Sequence, residues 1–84
     1  MSGSEFRNPM DALVVESVRD LLGKTTVGID DNLFDVGGNS IIAIRLGQVL
    51  SEKLGIPRNV RLIFKNPVLR DLSDALGDQV GNAA

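Results

Sequence analysis

The chain has 84 residues and a formal net charge of −2, and it contains no cysteine and no histidine. A chain this short buries only about 60% of the surface that its unfolded form exposes, so it forms one thin core and not a deep, walled active site. The missing residue types exclude a Ser-His-Asp triad, a cysteine nucleophile, a disulfide and a thiolate metal site, and the acidic balance argues against nucleic acid as a main partner.

The two ends of the chain are expected to lie outside the folded domain. Met1–Phe6 contains Gly-Ser and Glu-Phe pairs that two common cloning sites encode, so we assign residues 1–8 to an expression remnant and a disordered N-terminus. Residues 79–84 end in small and polar side chains and are assigned to a flexible tail or linker. The folded domain is therefore predicted to span residues 9–78.

The first predicted helix runs from Pro9 to Leu22. Asn8 supplies an N-cap oxygen, proline suits the first helical position, and apolar residues recur at helical spacing until Gly23, a natural C-terminal stop. Residues 24–39 have no sustained period and carry three aspartates and three glycines, which predicts a long loop. Apolar residues inside this loop favour an ordered loop attached to the core.

Three further helices are predicted after the loop. The second runs from Ser40 to Leu54, where a glycine followed by a proline stops it, and Val60–Phe64 predicts a short helix. Asn66-Pro67 repeats the opening signature of the first helix, and leucines continue at helical spacing up to Gly77. No segment alternates like a strand, so the fold class is all-α: a small bundle of three main helices plus one short helix, with the long loop between helices one and two.

The second helix carries more apolar residues than one core face needs. At 100° per residue, its core face holds Ile42, Leu46, Val49 and Leu50. Ile41 and Ile44 lie on the side where Ser40 emerges. Either the helix is buried over a wide stripe, or these two residues form an exposed docking strip; we favour the docking strip. Leu62 of the short helix either joins this strip or is covered by the preceding loop.

The segment before the second helix presents Ser40. Gly37-Gly38 releases the backbone from side-chain constraints directly before the start of the helix. A plain N-cap role for Ser40 is the alternative. However, no Glu or Gln lies three residues after Asn39 or Ser40, so no capping box is built, and Asn39 alone can cap the helix.

A free Ser40 hydroxyl is suited to receive a group and not to attack one. The chain has no histidine or cysteine that would activate it as a nucleophile. The start of a helix offers unpaired N–H donors and the positive end of the helix dipole, which favour a phosphodiester by about 0.3–1 kcal/mol. The chemistry therefore indicates an acceptor serine that another enzyme modifies.

The run Asp31-Asn32-Leu33-Phe34-Asp35-Val36-Gly37-Gly38-Asn39-Ser40-Ile41 resembles the thiolation motif of peptidyl carrier domains from nonribosomal peptide synthetases. The resemblance covers about Met10 to Gly77. It implies a non-catalytic carrier in which Ser40, flanked by Gly38 and Asn39, holds 4′-phosphopantetheine transferred from coenzyme A. The thiol of this arm would hold aminoacyl or peptidyl groups as thioesters and shuttle them between catalytic domains.

The resemblance also implies the partners of the domain. These are a phosphopantetheinyl transferase, an adenylation domain, a condensation or other tailoring domain and a thioesterase. We expect a cytoplasmic monomer without a nucleic-acid or membrane partner, because no apolar run approaches the roughly 20 residues that span a bilayer. Asn39 departs from the family pattern, which more often has His or Asp there, and this leaves open which condensation or tailoring domain is served.

Two other functions compete with the peptidyl carrier. The first is an acyl or aryl carrier of a polyketide, fatty-acid or siderophore pathway. Among these, fatty-acid carriers tend to have an acidic second helix. Here Arg45 and Lys53 stand against Glu52, a net charge of +1, which favours the peptidyl class. The second is a helical interaction module in which Ser40 is only a helix cap or a kinase target.

The remaining features of the sequence are assigned structural roles. The loop aspartates are expected to form a solvated surface, with contact to the transferase as the alternative for Asp30, Asp31 and Asp35. Phe34 and Phe64 are expected in the core, because a bundle this small needs its large side chains inside.

Overall fold

The computed structural model describes residues 6–83 and consists of four α-helices. They are α1 (Pro9–Leu22), α2 (Ser40–Leu54), α3 (Val60–Lys65) and α4 (Leu69–Ala83). Within these residues the extended backbone pairs only at an isolated antiparallel bridge between Asn32 and Val68. The all-α prediction of three main helices, one short helix and a long first loop is confirmed. Residues 1–5 of the predicted expression remnant lie outside the described residues, as does Ala84, while Phe6 packs against the core.

Asparagine side chains begin three of the four helices. The Oδ1 atoms of Asn8, Asn39 and Asn59 accept hydrogen bonds of 2.9, 3.0 and 3.1 Å from the backbone N–H three residues on. Gly23 and Gly55 end α1 and α2 in the left-handed region, with φ of 65° and 68°. These local signals explain why the bounds of α1 and α2 agree with the sequence prediction.

The last helix begins later and ends later than the sequence predicted. Pro67 lies before α4, where its carbonyl accepts a hydrogen bond of 2.8 Å from the Leu33 N–H and therefore cannot start the helix. The predicted end at Gly77 is wrong, because α4 continues to Ala83. Residues 79–83, assigned to a flexible tail, are helical, and Val80 packs against the core. The packing of Val80 stabilises α4 beyond Gly77, a residue that would otherwise favour the end of a helix.

We expect Gly77→Ala to stabilise the domain by about 0.5–1 kcal/mol, because alanine loses less backbone entropy in a helix interior. Gly77 is exposed, and a methyl group added there would meet no atom within 4 Å. Urea denaturation measures the change, with Gly23→Ala as the control that is destabilised by its left-handed backbone. An unchanged or lower free energy of unfolding for Gly77→Ala would contradict a helix through this position.

The core lies between α1, α2 and α4, with α3 closing one side. The side chains that are buried in this core are Val14, Val15, Val18, Val27, Ile29, Leu33, Ala43, Leu46, Leu50, Ile56, Ile63, Leu69, Leu72 and Leu76. Gly47 lets α3 approach α2, since a methyl group there would lie 3.1 Å from Val60 Cγ2. Within residues 6–83, no helix is long and apolar enough to cross a membrane.

The long loop between α1 and α2 is ordered, as predicted, and is held to the start of α4. Leu33 is fully buried, its N–H donates to Pro67, and the Leu69 N–H donates to the Asp31 carbonyl at 3.0 Å. The Arg70 guanidinium donates to Asp30 at 2.7 Å. The middle of the loop that leads to Ser40 is therefore tied to the start of α4.

Arg7 and Asn8, placed before the domain by the sequence prediction, contact it in the structure. Asn8 caps α1, while the Arg7 guanidinium donates to Asp11 at 2.8 and 3.0 Å and to Asp74 of α4 at 2.9 Å. The fully buried Asp11 carboxylate also accepts the hydroxyl of the buried Ser73. This network joins the start of α1 to α4.

Candidate functional site

Ser40 is the first residue of α2, and its side chain is exposed. Asn39, with extended backbone at φ −149°, provides the N-cap, so the Ser40 hydroxyl is not needed to cap the helix. Among residues 6–83, no side chain or backbone group hydrogen-bonds to this hydroxyl. The hydroxyl is therefore open to a reagent from solvent.

Gly37 and Gly38 form the turn that leads into Ser40. Gly37 has a φ of 114°, which a residue with a side chain rarely adopts. Gly38 donates its N–H to the Leu33 carbonyl at 2.9 Å, and a methyl group on Gly38 would lie only 2.6 Å from that oxygen. Both glycines are thus required by the backbone path, one for its dihedral angle and the other for its close approach to Leu33.

A residue that the sequence analysis missed supports this turn. The Lys24 ammonium, just after α1, donates a hydrogen bond of 2.7 Å to the Val36 carbonyl directly before Gly37. The two residues are twelve positions apart in a loop without a regular period, so no local pattern indicates their contact.

The start of α2 favours a negatively charged group. The first helical turn contains no acidic residue, and the backbone N–H groups of its first two residues have no helical acceptor. They point outward at the positive end of the helix dipole. The site is thus electrostatically suited to a phosphodiester on Ser40, and its exposure leaves room for a long flexible arm.

Two of the loop aspartates have polar partners, that of Asp30 in α4 and that of Asp31 within the loop. Asp30 pairs with Arg70, and hydrogen bonding to the Arg70 guanidinium lowers the pKa of the Asp30 carboxyl. Asp31 accepts the Gly28 N–H at 2.7 Å, while Asp35 is exposed. Asp30 and Asp31 therefore help to hold the loop as well as forming its surface.

Large apolar side chains are exposed on both α2 and α3. Ile41 is 64% exposed and Ile44 is 55% exposed, which agrees with the docking strip and not with a wide buried stripe. Leu62 is only half-buried and packs against the core.

The expectation that Phe64 lies in the core is wrong: it is 46% exposed and stacks on the half-buried Phe34, with ring centroids 5.7 Å apart. Its aromatic partner is supplied by the loop, a contact that helical periodicity does not show.

The chemistry of the site is that of an acceptor. The chain has no histidine or cysteine, and no group of acidic side chains within residues 6–83 is arranged to hold a metal ion. No general base hydrogen-bonds to Ser40 among these residues.

Comparison with known proteins agrees with this geometry. Residues 12–76 match the model of the family described as phosphopantetheine attachment site. Cyclosporin synthetase simA from Tolypocladium inflatum is 42% identical over 67 residues. These residues are 80% of this chain, but they round to 0% of the length of the relative. The chain spans at most 3% of the length of the first eight curated relatives that it matches.

Solved structures share the fold. A crystal structure of the nonribosomal peptide synthetase FmoA3 matches with a TM-score of 0.77 and 38% identity, over 81% of this chain and 7% of that one. A structure described as a non-ribosomal PCP domain matches with a TM-score of 0.67 and 27% identity, over 88% of this chain and 90% of that one. The second match shows that a chain of this size can be a unit by itself in a related structure.

Proposed function

The chain belongs to the phosphopantetheine attachment site family, and from this premise we propose that Ser40 is the residue to which 4′-phosphopantetheine is attached. The observation that carries the proposal is the exposed hydroxyl of Ser40, left without a partner among residues 6–83 because Asn39 caps α2. The residues present fit the group: the helix start, which has no acidic residue in its first turn, suits its phosphodiester, and the two residues at positions 37 and 38 have no side chains.

The domain is a non-catalytic carrier domain of nonribosomal peptide synthesis. When attached, the arm supplies a terminal thiol that holds an acyl group as a thioester, and we propose aminoacyl or peptidyl groups as its cargo. The chain itself contributes position: Gly38 sets the turn, Asn39 fixes the start of α2, and the exposed Ser40 at this start would hold the arm.

The partners in this proposal are catalytic domains that meet the carrier in turn. They are a phosphopantetheinyl transferase, an adenylation domain, a condensation or other tailoring domain and a thioesterase, and the carrier acts as a monomer in the cytoplasm. The net charge of +1 on α2 supports the peptidyl class over a fatty-acid carrier. The docking surface is assigned to Ile41, Ile44 and the partly exposed Leu62.

We expect Ile44→Asp to slow loading by an adenylation domain about tenfold, because exposed apolar anchors carry much of the energy of a small transient interface. Arg45→Glu is the matched control on the next residue, and we expect it to change the rate about twofold at physiological salt. Loading rates at low and high salt measure both variants, and circular dichroism verifies their folding. A larger loss for Arg45→Glu, or a wild-type rate that collapses as salt rises, would indicate an electrostatic interface instead.

The test of the proposed function is the intact mass of the protein after incubation with coenzyme A and a promiscuous phosphopantetheinyl transferase. A carrier gains the mass of one phosphopantetheine group. A non-carrier interaction module, with Ser40 only at the start of a helix, gains nothing, and that result would overturn the proposal.

A further inference from the structure

Lys24 has a backbone that is fixed by the end of α1. The Gly23 N–H and the Lys24 N–H both point to the Arg19 carbonyl, the second at 3.1 Å, and Gly23 is in the left-handed region. This arrangement is a helix C-cap, which satisfies a carbonyl of the last turn. The side chain of Lys24 therefore projects from a defined point on the bundle and not from a free loop.

The Lys24 side chain extends from this point to the turn before Ser40. Its ammonium donates to the Val36 carbonyl at 2.7 Å, and no backbone N–H among residues 6–83 donates to that carbonyl. The side chain also lies against Gly37, because a methyl group on Gly37 would be 3.2 Å from the Lys24 Nζ atom. A charge-assisted hydrogen bond of this length is stronger than one between neutral groups.

The turn after Val36 has few other restraints. The Gly38 N–H is bound to the Leu33 carbonyl, but Gly37 has no side chain, is exposed, and contributes no hydrogen bond among the described contacts. Glycine also leaves the backbone the widest choice of dihedral angles. The turn is thus held on one side by the Gly38–Leu33 hydrogen bond and on the other by Val36, whose N–H donates to the Asn32 carbonyl and whose carbonyl accepts from Lys24.

We propose that Lys24 is a positioning residue for Ser40: its ammonium clamps the Val36 carbonyl and thereby holds the Gly37–Gly38 turn in the form that presents the Ser40 hydroxyl to an incoming phosphopantetheine group. The proposal rests on the proposed function of Ser40. Lys24 touches neither the reacting atoms nor the core, so its removal affects the rate of modification more than the stability of the fold.

The test compares three variants of the full chain in transfer from coenzyme A by a phosphopantetheinyl transferase. Lys24→Met keeps the length of the side chain and removes the donor, and we expect kcat to fall about fivefold with little change in KM. Lys24→Arg keeps a charged donor, and we expect it to restore the rate to within about twofold of wild type. Lys53→Met, in the last turn of α2, removes the same charge away from the turn and is expected to react as wild type.

Two further measurements separate positioning from other effects. The loss in Lys24→Met is expected to persist at high salt, because a hydrogen-bonded restraint is screened far less than long-range attraction. Amide hydrogen exchange at Gly38, whose N–H donates to the Leu33 carbonyl, is expected to be about tenfold faster in Lys24→Met, since a loosened turn opens more often. The free energy of unfolding is expected to stay near that of wild type.

Several results would overturn the inference. They are a wild-type kcat in Lys24→Met, a loss that disappears at high salt, a loss that Lys24→Arg does not restore, or unchanged exchange at Gly38. Failure of the proposed function is a different result: wild-type protein would then gain no phosphopantetheine, or would gain it on a residue other than Ser40.

Discussion

Ser40→Ala is expected to abolish phosphopantetheine attachment while leaving the fold intact. The variant deletes the oxygen to which the group is joined, so no smaller effect than complete loss is expected. The fold is spared because Asn39, and not Ser40, caps α2, and because the Ser40 side chain is exposed and has no partner among residues 6–83. The free energy of unfolding is therefore expected to change by less than about 0.5 kcal/mol.

The matched control is Ser51→Ala, which removes a hydroxyl from the opposite end of the same helix. Ser51 hydrogen-bonds to the Ile56 carbonyl at the end of α2, so this variant loses some stability but keeps the acceptor serine. Intact mass and urea denaturation measure both variants. A phosphopantetheine mass gain on Ser40→Ala, or its loss on a folded Ser51→Ala, would contradict the assignment.

Asp11→Ala is expected to destabilise the domain by about 2–4 kcal/mol, a large share of the stability of a small domain. The fully buried carboxylate of Asp11 accepts hydrogen bonds from the Arg7 guanidinium and backbone and from the Ser73 hydroxyl. Without Asp11, the buried Ser73 hydroxyl loses its acceptor, and the link between α1 and α4 is lost. Urea denaturation at neutral pH measures the effect, with the exposed Asp20→Ala as the control expected within about 0.5 kcal/mol of wild type.

The same carboxylate gives the stability a pH dependence of known sign. Hydrogen bonding from Arg7, helped by the Ser73 hydroxyl, holds the pKa of Asp11 well below its ordinary value of 3.8. The folded state therefore keeps the ionised form, and this contribution is fully present above the ordinary pKa and is lost as pH falls below it. The difference in stability between wild type and Asp11→Ala should shrink below about pH 4; a difference that grows there would refute the role of the ionised form.

Local signals in the sequence were sufficient for much of the fold. The first two helices begin at asparagine caps and end at left-handed glycines, and these determinants lie within a few residues of each helix end. The end of α4 was missed because Gly77 stops a helix only when nothing beyond it packs, and here Val80 contacts the core. Likewise, Arg7 reaches Asp74 across 67 positions, a contact that no local pattern indicates.

The candidate site also combines features set by neighbouring residues with contacts between residues distant in sequence. The Gly37–Gly38 turn, the Asn39 cap and the free Ser40 hydroxyl could be predicted because they depend on neighbouring residues. Helical periodicity also placed Ile41 and Ile44 on the exposed side of α2. In contrast, the Lys24 contact and the Phe34–Phe64 stack join residues that only the folded loop brings together, so neither was predicted.

The hydroxyl of Ser40 is the one that we expect to receive the arm. Tandem mass spectrometry of peptides from the modified wild-type protein identifies the residue that carries the added mass. We expect one phosphopantetheine group on the peptide that contains Ser40, with the modified residue assigned to Ser40. A group found on Thr25, Thr26 or Ser51 instead would contradict it.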